Sequence, residues 1–530
     1  MKLPLFFLGM AVLLVFSGLA VLLWKRYYRG DTHNTAQRVL KNSTVPFVVR
    51  LIIRVLEFGF ALVLYSSLAG EEIGPYTLAA LLVAQYLGTF TEFGLGVLLT
   101  RDVAKDPSPA AASRLFGMTL SLRAIFVVAA IPIAGGIIAT YGMLAEFGIG
   151  EAITPVGQEV IWILLLTLIP SSYSGAVTAL YNAAEEMEVP AIIELITATV
   201  SVLIRVTLLL LGFGIVGLAW TAVGVSTLTA AIYLVLQTRR FFPPRLYWDW
   251  PLIRSFVPMA FPLMLNNLLN VVFFRFDTFI VKAFGEGNGD LLVQQYAVPY
   301  QFINIALVLP PVITFAVFPT LARRAEGDRT LLATAQNRTL QLMLWLAFPV
   351  AMGMSLLAPN LIALITRSNA ADYLPISAHV LAILAWFLPL SFVNGLLQYV
   401  LIAINQQWVI TRAFLIGAVF NLTTNLLFIP WFGLYAASII TILSEVVLLA
   451  VFLPVLRSET LTPPLAALAW RPAVAAAAMG GAMAGAYAVG GWMAAVAIAP
   501  PVYVAVLWAV GAVGEEERAL VRTLLSRKTR

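Results

Sequence analysis

The chain has 530 residues, of which 61% are hydrophobic and only 11% charged, with a formal net charge of +6. A soluble domain averages about 45–50% apolar and about 25% charged residues, so an ordinary globular core is excluded. The absence of cysteine excludes disulfides, thiolate metal sites and cysteine nucleophiles, and two histidines, His33 and His379, are too few for a histidine-rich metal site.

The apolar residues fall in runs of 20 or more, the length a helix needs to cross about 30 Å of hydrocarbon. Lipid offers no partner to backbone N–H and C=O groups, so such runs must be helices. In chain order the predicted spans are 3–24, 45–68, 74–99, 115–140, 158–182, 189–212, 214–237, 255–284, 292–319, 335–358, 376–404, 408–430, 432–456, 468–490 and 492–513. The expected fold is an all-α membrane protein with one extra N-terminal helix followed by fourteen. The first span is too long for a signal-peptide core, and Lys25-Arg26 follow it without a small-residue cleavage site. It is expected to cross the membrane with its N-terminus outside; the other reading is a downstream translation start that makes it dispensable. The Ala/Gly-rich stretch 468–499 reads as close helix packing through small residues.

Basic residues cluster in alternate loops. One set holds Lys25, Arg26, Arg29, Arg38 and Lys41, then Arg101, Lys105 and Arg114, then Arg239, Arg240, Arg245 and Arg254. It continues with Arg323, Arg324, Arg329 and Arg338, then Arg412, Arg457 and Arg471, and ends in the tail Arg518, Arg522, Arg527, Lys528 and Arg530. The other set offers little beyond Lys282 and Arg367. This positive-inside pattern places the start and end of the fourteen-helix body in the cytoplasm and the protein in the cell inner membrane. The charge sets topology, and no aromatic-interleaved basic domain exists to bind nucleic acid.

A shift of 220 positions aligns the two halves: Glu57 falls on Asp277, Tyr76 on Tyr296, Thr119-Leu120-x-Leu122 on Thr339-Leu340-x-Leu342, and the loop 101–105 on 321–325. Both halves begin in the cytoplasm with six spans each, so the repeat is parallel. The expected domains are the extra N-terminal helix (1–35), an N-lobe (36–240), a C-lobe (241–457), and two C-terminal helices with a cytoplasmic tail (458–530). Transporters built from such repeats hold cargo at the repeat interface near the bilayer midplane.

Ionisable residues at bilayer depth are costly and mark functional positions. The basic ones are Arg50, Arg54, Arg123, Arg205 and Arg275; the acidic ones are Glu57, Glu92, Glu194, Asp277 and Glu445. Arg50, Arg54 and Glu57 share one helical stripe, as do Glu194, Thr197, Ser201 and Arg205. Two like charges on one face fit a wet cavity of positive potential. Arg50, Arg205 and Arg123 also lie near enough to a boundary to snorkel. Glu57 and Asp277 read either as gating or ion-coupling residues or as partners that lower the cost of nearby arginines. Gln294, Gln295, Gln301, Asn304, Asn394, Gln398, Asn421 and Asn425 are bridging amides individually and suggest a hydrated path collectively.

Several segments then read together: Lys41-Asn42, Leu68-x-x-Glu71-x-x-Gly74-Pro75-Tyr76, Phe93-Gly94-Leu95, Arg101-Asp102-Val103-Ala104, Arg275-x-Asp277-x-x-Ile280, Tyr296-Ala297 and Phe318-Pro319-x-Leu321. Over about residues 36–513 the chain resembles the polysaccharide (lipid-linked oligosaccharide) flippases of the multidrug/oligosaccharidyl-lipid/polysaccharide exporter superfamily. The resemblance implies two six-helix lobes opening alternately to either face, two added C-terminal helices, and an undecaprenyl-diphosphate-linked glycan as cargo. Arginine pairs with phosphate oxygens in forked geometry. Arg54 and Arg275, helped by Arg50, Arg123 and Arg205, are therefore expected to hold the diphosphate, with Glu57, Asp277 and Glu194 in gating or ion coupling. Polysaccharide polymerase and glycosyltransferases are the expected partners besides membrane lipid. No cofactor is expected, and no nucleotide-binding loop is present for ATP hydrolysis. Competing readings are a lipid II flippase of the same fold, a multidrug antiporter, for which an acidic cavity is expected, and a membrane polymerase or glycosyltransferase. The last needs a catalytic constellation that loops 141–157 and 359–375 lack, so the chain is not expected to be an enzyme.

Overall fold

The structure is a computed structural model and describes residues 35–285, 287–325 and 327–512. The expected N-terminal span and the basic tail lie outside the described residues. Among those described there is no strand. The helices are α1 (Thr35–Ser67), α2 (Gly70–Lys105), α3 (Pro109–Glu146), α4 (Pro155–Ala183), α5 (Glu188–Leu210), α6 (Gly214–Arg240), α7 (Trp250–Arg275) and α8 (Asp277–Ala283). They continue as α9 (Gly289–Ala306), α10 (Leu309–Ala325), α11 (Arg329–Leu356), α12 (Ala358–Thr366), α13 (Ile376–Ala403), α14 (Gln407–Ser458) and α15 (Leu465–Ala509).

Eleven of these helical stretches are long and apolar enough to cross a membrane. The two longest, α14 and α15, bend where Gly433 (φ 55°) and Gly491 (φ 72°) leave helical geometry, each within a few residues of an expected span boundary. With these two divided and α1 added, the described residues hold the fourteen body spans read from the sequence. The expected span 255–284 is interrupted at Phe276, between Arg275 and Asp277. The expected span 292–319 breaks after Ala306, just before Pro310 and Pro311, which have no N–H to continue the ladder.

The chain forms two compact units. Unit 1 takes the described residues up to Leu68, with 79–139 and 153–267. Its core includes Leu99, Phe116, Val177, Leu180, Tyr181, Tyr233 and Phe242. The loop from α6 to α7 is tied to α3 by an ion pair between Arg114 and Asp249. That hydrogen bond, and then the Leu252 N–H, hold the Asp249 carboxyl below the ordinary carboxylate range.

Unit 2 takes residues 69–78, 140–152 and 268 onward. Here α15 lies along α11: Ala475, Ala476, Met479, Met483 and Ala495 pack with Leu357, Trp345 and Met352, and Tyr503 Oη donates to Trp345 O at 2.9 Å. Small residues let the two backbones approach, as lipid-embedded helices require when burial from water cannot drive association. One face of the Ala/Gly-rich stretch packs in this way, with Gly480 against Met352, while Gly481, Gly485 and Gly491 have no neighbour within 4 Å of an added Cβ among the described residues.

Candidate functional site

In unit 1 the helix α1 packs on α5, and its charged stripe divides by depth of packing. Glu57 is half-buried and accepts from Arg205 Nη2 at 2.5 Å, while the Arg205 guanidinium lies 4.1 Å from the Phe60 ring centroid. One turn and two turns earlier, Arg54 and Arg50 are exposed, and neither has an ion-pair partner among the described residues. Glu194 is likewise exposed on α5 and outside any ion pair among the described residues.

Arg123 is 2% exposed and joins three helices. Its Nη1 donates to Ser172 O on α4 at 2.8 Å, and its Nη2 to Glu92 Oε1 on α2 at 3.2 Å. The same carboxylate accepts from the Gly94 and Gly96 N–H groups at 2.7 and 2.8 Å, capping a break in α2 where Phe93 and Gly94 are left-handed. A side chain at Gly94 would also meet Leu263 Cβ at 2.6 Å. The Phe93-Gly94-Leu95 motif is thus a turn inside a membrane span, stabilised by Glu92 and Arg123.

In unit 2, Arg275 is half-buried and stacks over Tyr300, with its guanidinium carbon 4.4 Å from the ring centroid. It makes no ion pair among the described residues. Asp277 is 2% exposed; Tyr296 Oη donates to its Oδ2 at 2.5 Å and the Thr278 N–H to its Oδ1 at 2.8 Å.

The bridging reading of the amides holds for four of them, while Asn425 bonds one turn away on its own helix. Gln294 donates to Thr77, Gln295 to Asp372 O, Asn421 to Ser444, Asn425 to Asn421, and Asn394 to Glu445. All five are buried.

The sequence reading missed one cluster. Lys282 is fully buried, with Nζ 3.0 Å from Glu151 Oε2 and 3.1 Å from Asp290 Oδ1. Glu151 Oε2 also accepts from the Gly289 N–H at 2.8 Å, and the Glu151 N–H donates to Ala283 O at 3.2 Å. The signal available was the rarity of Lys282, nearly alone among basic residues on its side. Gly150, at φ 127°, lets the loop approach: an added Cβ would stand 2.0 Å from Ala283 O. We expect Gly150→Ala to lower stability by more than about 1 kcal/mol, through both its backbone angle and the displaced loop. Thermal unfolding of the detergent-purified protein measures this, and an unchanged midpoint contradicts it.

The model of a family described as polysaccharide biosynthesis protein matches residues 68–375. No curated protein resembles the chain significantly in sequence. Among solved structures, lipid II flippase MurJ in an inward closed conformation superimposes with a TM-score of 0.69 at 13% identity, covering 88% of this chain and 98% of that one. An inward-facing multidrug resistance MATE family transporter of the MOP superfamily gives a TM-score of 0.60 at 15% identity, covering 78% and 98%. A MOP superfamily transporter from Pyrococcus furiosus, described by the reversed polarity of its binding pocket, gives 0.56 at 15% identity, covering 79% and 95%. These likenesses show a shared helical membrane fold. The chain is a multi-pass membrane protein that shares the helical fold of these transporters, and it belongs to the polysaccharide biosynthesis protein family.

Proposed function

We propose that this flippase moves an undecaprenyl-diphosphate-linked oligosaccharide across the cytoplasmic membrane by alternating access, for polysaccharide export. The observation that carries the reading is a set of arginines on membrane helices, Arg50, Arg54 and Arg275, that form no ion pair among the described residues. Unpaired guanidinium groups are costly in a membrane unless an anion or water meets them, and a diphosphate is a compact, multiply charged anion suited to their forked donors. Arg123 on α3 and Arg205 on α5 are further arginines on membrane helices, with Glu92 and Glu57 as their fixed partners. Glu57, Asp277 and Glu194 serve gating or ion coupling in this scheme. Polymerase and glycosyltransferases then act on either side of the transport step, and the chain itself performs no catalysis.

A second reading, lipid II as cargo, draws support from the superposition on MurJ over 98% of that chain. Both cargoes share the polyprenyl diphosphate. A multidrug antiporter is less well supported, because the charges outside ion pairs on α1 and α7 among the described residues are basic, not the acids that cationic drugs call for.

The test is transport by the purified full chain in proteoliposomes, with fluorescent lipids whose outer-leaflet fraction is quenched by dithionite. Protein-dependent flipping is expected for an undecaprenyl diphosphate carrying a sugar chain and not for a neutral polyprenyl glycoside. Faster movement of lipid II than of the oligosaccharide lipid favours the second reading. Export of a cationic dye without movement of either diphosphate lipid overturns both.

A further inference from the structure

Tyr296 and Tyr300 stand four residues apart on one face of α9, buried, with rings edge to face at 5.3 Å and 77°. Their hydroxyl oxygens lie 3.2 Å apart. The protons on this cluster can be assigned by counting. The Tyr296 proton goes to Asp277 Oδ2, at 2.5 Å. The Thr441 hydroxyl is 3.4 Å from Tyr296 Oη but gives its own proton to Ala437 O at 2.9 Å. A hydroxyl has one proton and two acceptor positions. Tyr300, which is also in hydrogen-bond reach of Thr441, is the remaining donor in reach of the Tyr296 oxygen, and through it a chain runs Tyr300 O–H to Tyr296 O–H to the Asp277 carboxylate.

The other end of this chain is a guanidinium. Arg275 lies over the face of the same Tyr300, so one aromatic side chain touches both the arginine and the line of hydroxyls ending on the acid. Arg275 and Asp277 are only two residues apart in sequence, and in this geometry they do not form an ion pair. A ring face attracts a cation without using its N–H donors, whereas a carboxylate would occupy two of them. Stacking therefore leaves Arg275 fixed in position with its donors open to an external anion.

We propose that Tyr300 is a positioning residue for cargo recognition: its ring holds Arg275 away from Asp277, and its hydroxyl, through Tyr296, makes that hold depend on Asp277. When Asp277 is neutralised by a proton or a cation, Tyr296 loses its ionic acceptor, the direction of the hydroxyl chain is no longer imposed, and Tyr300 is free to turn under Arg275. Anion binding at Arg275 and the state of Asp277 are thereby coupled through two side chains on α9. This rests on the reading of Arg275 as a cargo-binding residue.

The experiment measures binding of undecaprenyl diphosphate, with undecaprenol as neutral control, to the purified full chain and its variants. Arg275→Ala is expected to weaken diphosphate binding at least tenfold. Tyr300→Leu is expected to weaken it about three- to tenfold while leaving undecaprenol binding unchanged, which a merely misfolded variant would not do. Tyr300→Phe, which keeps the ring, is expected to recover most of the loss. In a double-mutant cycle, Asp277→Asn and Tyr300→Phe are expected to be non-additive by at least threefold. Loss with Arg275→Ala but wild-type affinity with Tyr300→Leu overturns the positioning role alone. Additive behaviour of the 277/300 cycle overturns the coupling. An Arg275→Ala variant that binds undecaprenyl diphosphate normally overturns the cargo reading and the positioning role with it.

Discussion

Alanine at both Arg54 and Arg275 is expected to abolish transport of the diphosphate-linked lipid while leaving the protein at its normal level in the membrane. Each charge-assisted hydrogen-bonded contact contributes about 1.5–3 kcal/mol. Losing one at each arginine lowers affinity for the diphosphate by about 10²–10⁴-fold. The substitutions leave folding intact because neither guanidinium answers a carboxylate: Arg54 is exposed and Arg275 rests on a neutral ring. Arg123 and Arg205 make the contrast. Alanine at either one leaves Glu92 or Glu57 without its cation, so lost function there is mixed with lost stability. Lysine at 54 and 275 keeps the charge but not the forked donors, and an intermediate rate is expected. The measurement is complementation of a flippase-deficient strain, with membrane levels checked by immunoblot. Normal polysaccharide export by the double alanine variant contradicts the role given to both residues.

The fold was legible because its determinants are local. A run of 20 apolar residues forms a helix in lipid whatever surrounds it, so the body spans other than the charged α1 followed from hydropathy and the breaks between apolar runs. The bends near 431 and 491 were legible for a related reason, since polar or glycine-containing junctions separate apolar runs there. What the residues at depth do was less visible. Helical spacing put Arg50, Arg54 and Glu57 on one stripe, but whether a charge on that stripe is satisfied depends on the neighbouring helix. Glu57 meets Arg205, 148 positions away, while Arg54 meets no carboxylate among the described residues. Periodicity within α1 carries no information about Arg205. Arg123 illustrates the same limit: its partners Glu92 and Ser172 lie on two other helices. Gln294, Gln295 and Asn394 bridge segments through partners that only tertiary structure brings near.

Lys282 is the clearest case of a residue whose weight is set by long-range partners, and its replacement by alanine is expected to destabilise unit 2 by about 3–5 kcal/mol. The ammonium is fully buried between Glu151, 131 positions earlier, and Asp290 on the first turn of α9. Removing it leaves two carboxylates facing each other with only the Gly289 N–H to offset their charge. Glu151→Gln is expected to cost less, about 1–2 kcal/mol, because Asp290 still pairs with Lys282 and the amide oxygen still accepts from Gly289. Replacing the whole set, Lys282→Met with Glu151→Gln and Asp290→Asn, is expected to recover most of the loss, since a buried ion cluster contributes little net stability once its desolvation is counted. The order therefore carries more information than any single value. Denaturant or thermal unfolding in detergent should rank the triple variant above Lys282→Ala despite its two additional substitutions. A Lys282→Ala variant as stable as the parent, or a triple variant less stable than the single, contradicts the assignment of the cluster as a charge-balanced tie between loop 147–154 and the start of α9.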